Sequence, residues 1–177
     1  AEDAATLSTY LQKLFPQYSA ELEITGRCGA KLAEALSGSA DPLQLLFPGG
    51  SFETAERIYQ KSPSALAYNG LVRSAVEELL PELIAAASAS GRKLRVLEIG
   101  AGTGGTTSFV LPALPSSATE YTFTDISPAF TERARQKFKQ YAFMRCQPLD
   151  IERDPDGQGF AGQKFDLIIA ANVIHAT

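Results

Sequence analysis

A chain of 177 residues is long enough for one well-packed domain and marginal for two. Its 45% hydrophobic and 20% charged residues exclude a disordered polymer, and a formal net charge of −4 gives no reason to expect nucleic acid as a partner. No apolar run approaches the length of a membrane span, and the N-terminus lacks the basic start and apolar core of a secretion signal, so a cytoplasmic protein is expected.

The first ninety residues read as helices. Leu7, Leu11, Leu14 and Phe15 repeat at helical spacing, as do Leu32, Ala35 and Leu36. Asp41-Pro42 and Phe47-Pro48-Gly49-Gly50 punctuate the segment with turns, and Ser51 is placed to cap the helix that follows. A longer helix is predicted from about Ala65 to Ala87, with Leu71, Ala75, Leu79, Leu83 and Ala86 on its buried stripe and a kink or break at Pro81. Ser88–Lys93 is a short polar joint.

After that joint the rhythm changes. Strands are predicted at Leu94–Ile99, Tyr121–Asp125, Phe143–Pro148 and Phe165–Ala171, with helices near Thr106–Leu111 and Pro128–Gln140. Ser127 followed by Pro128 supplies an N-cap side chain and a preset first φ. Strand and helix in alternation imply parallel strands with right-handed crossovers. Glu152–Lys164, rich in Asp, Gly and Gln, reads as an exposed loop or short helix. The last strand is aliphatic on both faces, as central strands are, so further strands are expected beyond it. Cys28 and Cys146 fit neither a disulfide framework nor a metal pattern; both are expected as small packed hydrophobes, and no metal is expected.

Chemistry concentrates in RVLEIGAGTGGTT, Arg95–Thr107. An aliphatic strand ends on Glu98 and breaks into a turn containing Gly100, Ala101, Gly102 and Gly104. Such a turn brings bare backbone against a small ligand at the carboxyl edge of a parallel sheet. An acid before the turn suits a ligand with a cationic amine, and S-adenosyl-L-methionine has one. Four strand ends carry polar groups along this edge: Glu98, then Asp125, then Asp150, then Asn172 and His175. Asp125 is placed to grip the ribose hydroxyls of an adenosine. Asp150 can accept from the adenine amine, with Ile126 and Ile151 sandwiching the ring. His175, the single histidine, can serve as general base, because an imidazole changes charge near neutral pH.

Each of these residues also has a purely structural reading: tight packing for the glycines, a turn or cap for Asp125, a solvated loop acid for Asp150. Gly100, Gly102 and Gly105 fit G-x-G-x-x-G too, which keeps a dinucleotide in play. Glu98 before the glycines and the polar run Asn172–His175 favour the methyl donor, since a hydride cofactor has no ammonium for Glu98 to serve.

At VLEIGAGTGGTTSFVLPAL, YTFTDIS, LDIERDPDGQGF and FDLIIAANVIHAT the chain resembles the C-methyltransferase domain of fungal iterative polyketide synthases. LFPGGSFETAERIYQKSP and the following Tyr68-Asn69 resemble that family's helical N-terminal lid. The resemblance implies an α/β fold of the class I, Rossmann-like methyltransferase type, with residues 1–90 as lid and residues 91–177 as the front half of the core. It implies S-adenosyl-L-methionine as donor and S-adenosyl-L-homocysteine as product. The acceptor would be the α-carbon of a β-ketoacyl thioester on an acyl carrier protein, within a synthase of several domains. His175 would be the base, with Tyr59, Tyr68 and Asn69 facing the site from the lid. The family continues past NVIHAT to a glutamate that pairs with the histidine, so the rest of the methyltransferase domain is an expected partner. N- or O-methyl transfer, or a non-catalytic remnant, are the competing readings.

Overall fold

The strand-and-helix rhythm after Lys93 becomes a parallel sheet in the computed structural model, which describes residues 3–176. Strands β1 (Leu94–Glu98), β2 (Thr119–Asp125), β3 (Met144–Pro148) and β4 (Leu167–Ile169) lie in the order β3-β2-β1-β4. Val96 lies opposite Tyr121 on β2 and Leu167 on β4, and Glu98 opposite Phe123 and Ile169. The chain steps outward from β1 to β3 and then crosses back to β4 on the other side of β1. The switch point therefore lies between β1 and β4, where open α/β sheets bind their ligands.

Among the described residues six α-helices precede the sheet: α1 (Ala4–Leu14), α2 (Ser19–Ala30), α3 (Leu32–Leu36), α4 (Pro42–Leu46), α5 (Glu53–Lys61) and α6 (Pro63–Ala89). Two more follow β1 and β2, namely α7 (Gly105–Val110) and α8 (Pro128–Lys137). By contact the chain divides into Ala1–Tyr68 and Asn69–Thr177, so most of α6 belongs with the sheet. The expected change of rhythm falls later, at the polar joint after α6.

In the helical unit, Glu23 is the polar hub. Its carboxylate accepts from Thr54 Oγ1 at 3.0 Å and from Arg57 at 2.9 Å, which ties α2 to α5. Asp41 caps α4 by accepting from the Leu43 N–H at 2.9 Å, and Ser51 Oγ accepts from the Glu53 N–H at 3.3 Å at the start of α5. Leu7, Leu14 and Phe15, expected on one apolar stripe, remain exposed.

In the sheet unit, one face is covered by helices. Leu94, Val96, Tyr121, Phe123 and Ile169 pack with Val76, Leu80 and Ala87 of α6, Val110 of α7, Ala134 of α8 and Phe138 just after it. Burying each large apolar side chain here contributes roughly 1.5–3 kcal/mol. The buried face of α6 is Asn69, Val76, Leu80 and Ala87, not the stripe expected from spacing; of that stripe Leu83 packs on the core, while Leu71 and Leu79 are exposed. This helix is apolar around most of its girth, so period alone does not select a face. It also runs unbroken through Pro81. That proline is exposed, so the carbonyl it leaves without a partner can turn to water.

The other face is covered by a loop. Leu97 packs with Leu149 and Phe160, supported by Ile99, Ile151 and Phe165. The stretch expected as a loop or short helix is a loop with one 3-10 turn, Pro155–Gln158. β4 is shorter than expected. Asp166 just before it accepts both guanidinium nitrogens of Arg92, at 2.6 and 2.7 Å, and the Arg95 N–H at 2.9 Å. This clasp ties the lower ends of β1 and β4 and holds the Asp166 carboxyl below its ordinary range through the Arg92 hydrogen bond. No helix among the described residues is long and apolar enough to cross a membrane.

Candidate active site at the carboxyl edge of the sheet

The β1 ladder continues to the Ile99 N–H, which donates to Ile169 O at 2.8 Å, and the chain then turns. Gly100 is left-handed, φ +59°, and a β-carbon there would lie 2.5 Å from Val173 Cγ2. Gly104 is also left-handed, φ +75°, and a β-carbon on it would lie 2.6 Å from the Phe138 ring. Neither position tolerates a side chain. The turn is pinned from three sides. Ala101 N–H donates to Thr124 O at 2.9 Å, Gly102 N–H to Asp125 Oδ2 at 2.9 Å, and Lys137 Nζ to Thr103 O at 2.8 Å.

Glu98 lies beneath this turn. Its side chain points to the helix-covered face and is 1% exposed. Thr107 and Tyr121 hydroxyls both donate to its Oε2 at 2.6 Å, and Thr124 Oγ1 donates to its backbone carbonyl at 2.6 Å. Burial pushes the carboxyl up to about 7, against the pull of the Thr107 and Tyr121 hydrogen bonds. Burial, together with the Glu98 charge, drives the Tyr121 phenol well above its usual range. Glu98, expected to serve the ammonium of the donor, holds its carboxyl on the face over which α7 packs, where it joins α7 to β2 through Thr107 and Tyr121.

Asp125 is buried at the end of β2. Oδ2 accepts from Gly102 and Oδ1 from the Ser127 N–H at 2.8 Å, so one carboxylate ties the glycine turn to the start of α8. Pro128 opens α8 as expected, but the Ser127 hydroxyl makes no capping bond; the N–H of Ser127 itself goes to the Asp125 carboxylate. Ile126 beside it is exposed.

Asp150 reaches the same edge because Leu149 N–H donates to Asp125 O at 3.0 Å. Its Oδ1 accepts from the Glu152 N–H at 3.0 Å and its Oδ2 faces Arg153 Nε at 3.1 Å. Ile151, expected with Ile126 to sandwich the ring, is partly buried and packs against the cluster of Leu97, Leu149 and Phe160.

Past β4, Asn172 adopts φ +58°, the one left-handed non-glycine among the described residues. That conformation is uncommon outside glycine, with asparagine among the residues that adopt it. It turns the chain so that Val173 returns onto Gly100. Ile174–Ala176 form a 3-10 turn on which His175 is exposed, while Thr177 lies outside the described residues. Asn69 is 7% exposed and accepts from Thr106 Oγ1 at 2.8 Å, next to the end of the glycine turn. Tyr59 and Tyr68 are exposed residues of the helical unit.

Sequence reasoning missed Thr107, Tyr121, Thr124, Lys137 and Phe138 as supports of the turn. Tyr121 and Thr124 carried a faint signal, as hydroxyls inside a strand otherwise buried on both faces. Lys137 and Phe138 carried none, since each acts from 34 positions away, on Thr103 and Gly104.

Residues 97–177 match a family model described as a methyltransferase domain. The chain is 40% identical over 182 residues to a non-reducing polyketide synthase of Emericella nidulans, covering 99% of this chain and 7% of the synthase. Its fold matches the CurJ carbon methyltransferase with a TM-score of 0.91 and 43% identity, covering 99% of this chain and 46% of that one. The citrinin polyketide synthase CMeT domain matches with a TM-score of 0.84 and 36% identity, over 100% of this chain and 46% of that one. A trans-methyltransferase, CalH, solved in complex with SAH matches with a TM-score of 0.76 and 28% identity, over 98% and 46%. The chain thus spans a small part of its curated relative and just under half of each solved domain. With the parallel sheet and the glycine turn at its switch point, these matches place the chain in the family of carbon-methyltransferase domains of polyketide synthases.

Proposed function

We propose that the protein transfers a methyl group from S-adenosyl-L-methionine to the α-carbon of a β-ketoacyl thioester borne by an acyl carrier protein. The observation that carries this reading is the packing of Val173 on Gly100, which joins the segment bearing His175 to the glycine turn. The residues at the edge suit the donor. Gly100, Ala101, Gly102 and Gly104 present backbone without bulk, Asp125 offers a carboxylate to two ribose hydroxyls, and Asp150 with Ile126 and Ile151 flanks the place for adenine. Asn172 shapes the floor between β1 and β4. Glu98 contributes by holding the turn in shape. That the matched CalH structure is a complex with SAH supports the same ligand here.

Bound S-adenosyl-L-methionine supplies an electrophilic methyl group, and S-adenosyl-L-homocysteine is what remains. His175 takes the α-proton of the acceptor onto a ring nitrogen, and the C–H electron pair is left on the substrate as an enolate. A proton between a ketone and a thioester is acidic enough for a modest base. The α-carbon then forms the new C–C bond, and the methyl–sulfur bond breaks with its pair staying on sulfur. Holding carbon and methyl about 3–3.5 Å apart supplies much of the acceleration. On this reading residues 1–90 have the role of a lid, and Tyr59, Tyr68 and Asn69 a role in acceptor binding. The other domains of a synthase, the rest of the methyltransferase domain and the carrier protein are the partners, in the cytoplasm.

The test is to supply the full-length protein with methyl-labelled donor and a β-ketoacyl carrier thioester and follow the label by carbon NMR. The reading expects a labelled methyl on the α-carbon. Label on oxygen or nitrogen, or no transfer at all, contradicts it.

A further inference from the structure

We propose that Gln158 is a positioning residue for the adenine end of the donor site, acting through Asp150 and Ile151; this rests on the methyl-donor reading above. β3 ends at Pro148, and the chain then leaves the sheet to cover its far face as a loop. Backbone groups just past a strand end need partners that a neighbouring strand no longer supplies. For Asp150 a single side chain supplies both. Gln158 Oε1 accepts from the Asp150 N–H at 2.8 Å, and Gln158 Nε2 donates to Asp150 O at 2.8 Å. The same Nε2 lies 3.4 Å from Arg153 O and 3.3 Å from Asp154 O, so the amide gathers the whole bend.

Gln158 is itself anchored to the sheet. Its backbone carbonyl accepts from Gln147 Nε2 of β3 at 2.9 Å. Gly159 follows in a left-handed conformation, φ +87°, where a β-carbon would press to 3.0 Å on that same Gln147 nitrogen. The bend is thus closed as a ring from β3 through Asp150 to Gln158 and back to β3. Within it, Asp150 and Ile151 stay in register with the end of β2 through the Leu149–Asp125 hydrogen bond. A side-chain amide is the one group at this length that offers a donor and an acceptor side by side. Glutamate keeps the acceptor and loses the donor, and methionine keeps the length and loses both.

An acid that accepts from the 6-amino group of adenine discriminates against a 6-oxo ring, and that discrimination depends on where the acid is held. The experiment titrates S-adenosyl-L-homocysteine and S-inosyl-L-homocysteine into full-length wild type, Gln158→Met and Gln158→Glu by calorimetry, with thermal midpoints alongside. Wild type is expected to prefer the amino ligand. Gln158→Met is expected to shrink that preference roughly threefold to tenfold, the value of a hydrogen bond or two, and Gln158→Glu to shrink it in the same direction. An unchanged ratio in a folded variant, or equal weakening of both ligands, overturns the positioning role in favour of a merely structural one. If Gln158→Met does not fold, Gln158→Glu decides by the same ratio. Wild type that binds both ligands alike ends the inference at Asp150, whereas wild type that binds neither ends the methyl-donor reading on which it stands.

Discussion

Val173 lies directly over Gly100, so close that a β-carbon on the glycine would come within 2.5 Å of Val173 Cγ2. Two residues 73 positions apart are thereby locked across the switch point of the sheet. The glycine turn and the segment carrying His175 are one unit, and a change in one moves the other.

Gly100→Ala accordingly meets two penalties, the left-handed backbone and the overlap with Val173. Affinity for S-adenosyl-L-homocysteine, measured by calorimetry, is expected to fall more than about tenfold. Adding Val173→Ala relieves the overlap and leaves the backbone strain, so the double variant should recover part of the loss. Full affinity in the single variant would show that the turn does not contact the ligand.

Glu98 gives the protein a pH signature. Its carboxyl is raised in the folded state from an ordinary 4.5 to about 7, mainly by burial, so the native state binds the extra proton between those values. Stability therefore falls as pH rises through that window and levels off above it. The cost of ionising the buried acid is on the order of 3 kcal/mol. Glu98→Gln has no proton to lose. The thermal midpoint of wild type minus that of Glu98→Gln should decline between about pH 4.5 and pH 7, read by calorimetric scans. A flat difference would mean that the carboxyl titrates as if exposed.

The strands, the glycine turn and the polar strand ends were legible because each depends on local pattern. Alternation, flanking turn residues and a Gly-rich break need no partner to be recognised. What escaped was set by partners distant in sequence. Spacing placed Leu71 and Leu79 in the core, yet α6 buries Val76 and Leu80, because the sheet chooses among several apolar faces. Ser127 carries an ordinary cap signature, but its hydroxyl makes no capping bond, and the Phe130 and Thr131 N–H groups go to its backbone carbonyl. The burial of Glu98 was hidden because its donors, Thr107 and Tyr121, come from a helix and a second strand. Asp150 showed its acid but not the Gln158 amide that holds it.

Asp125→Asn tests the carboxylate that bonds both Gly102 and Ser127. An amide offers one acceptor oxygen for two N–H groups, so one of them loses its partner. Charge-assisted hydrogen bonds contribute about 1.5–3 kcal/mol each, and donor-product affinity should fall at least roughly tenfold. The thermal midpoint should drop with it, because the same carboxylate holds the turn. Unchanged affinity would remove Asp125 from the ribose site.

The most direct measurement pairs two readouts on one variant, His175→Ala in the full-length protein. Calorimetry reports affinity for S-adenosyl-L-homocysteine, and single-turnover assays report methyl transfer to a β-ketoacyl carrier thioester. Affinity is expected within a few-fold of wild type, with transfer slowed by about a hundredfold or more, the range of a lost general base. Transfer at near wild-type rate would contradict His175 as the base.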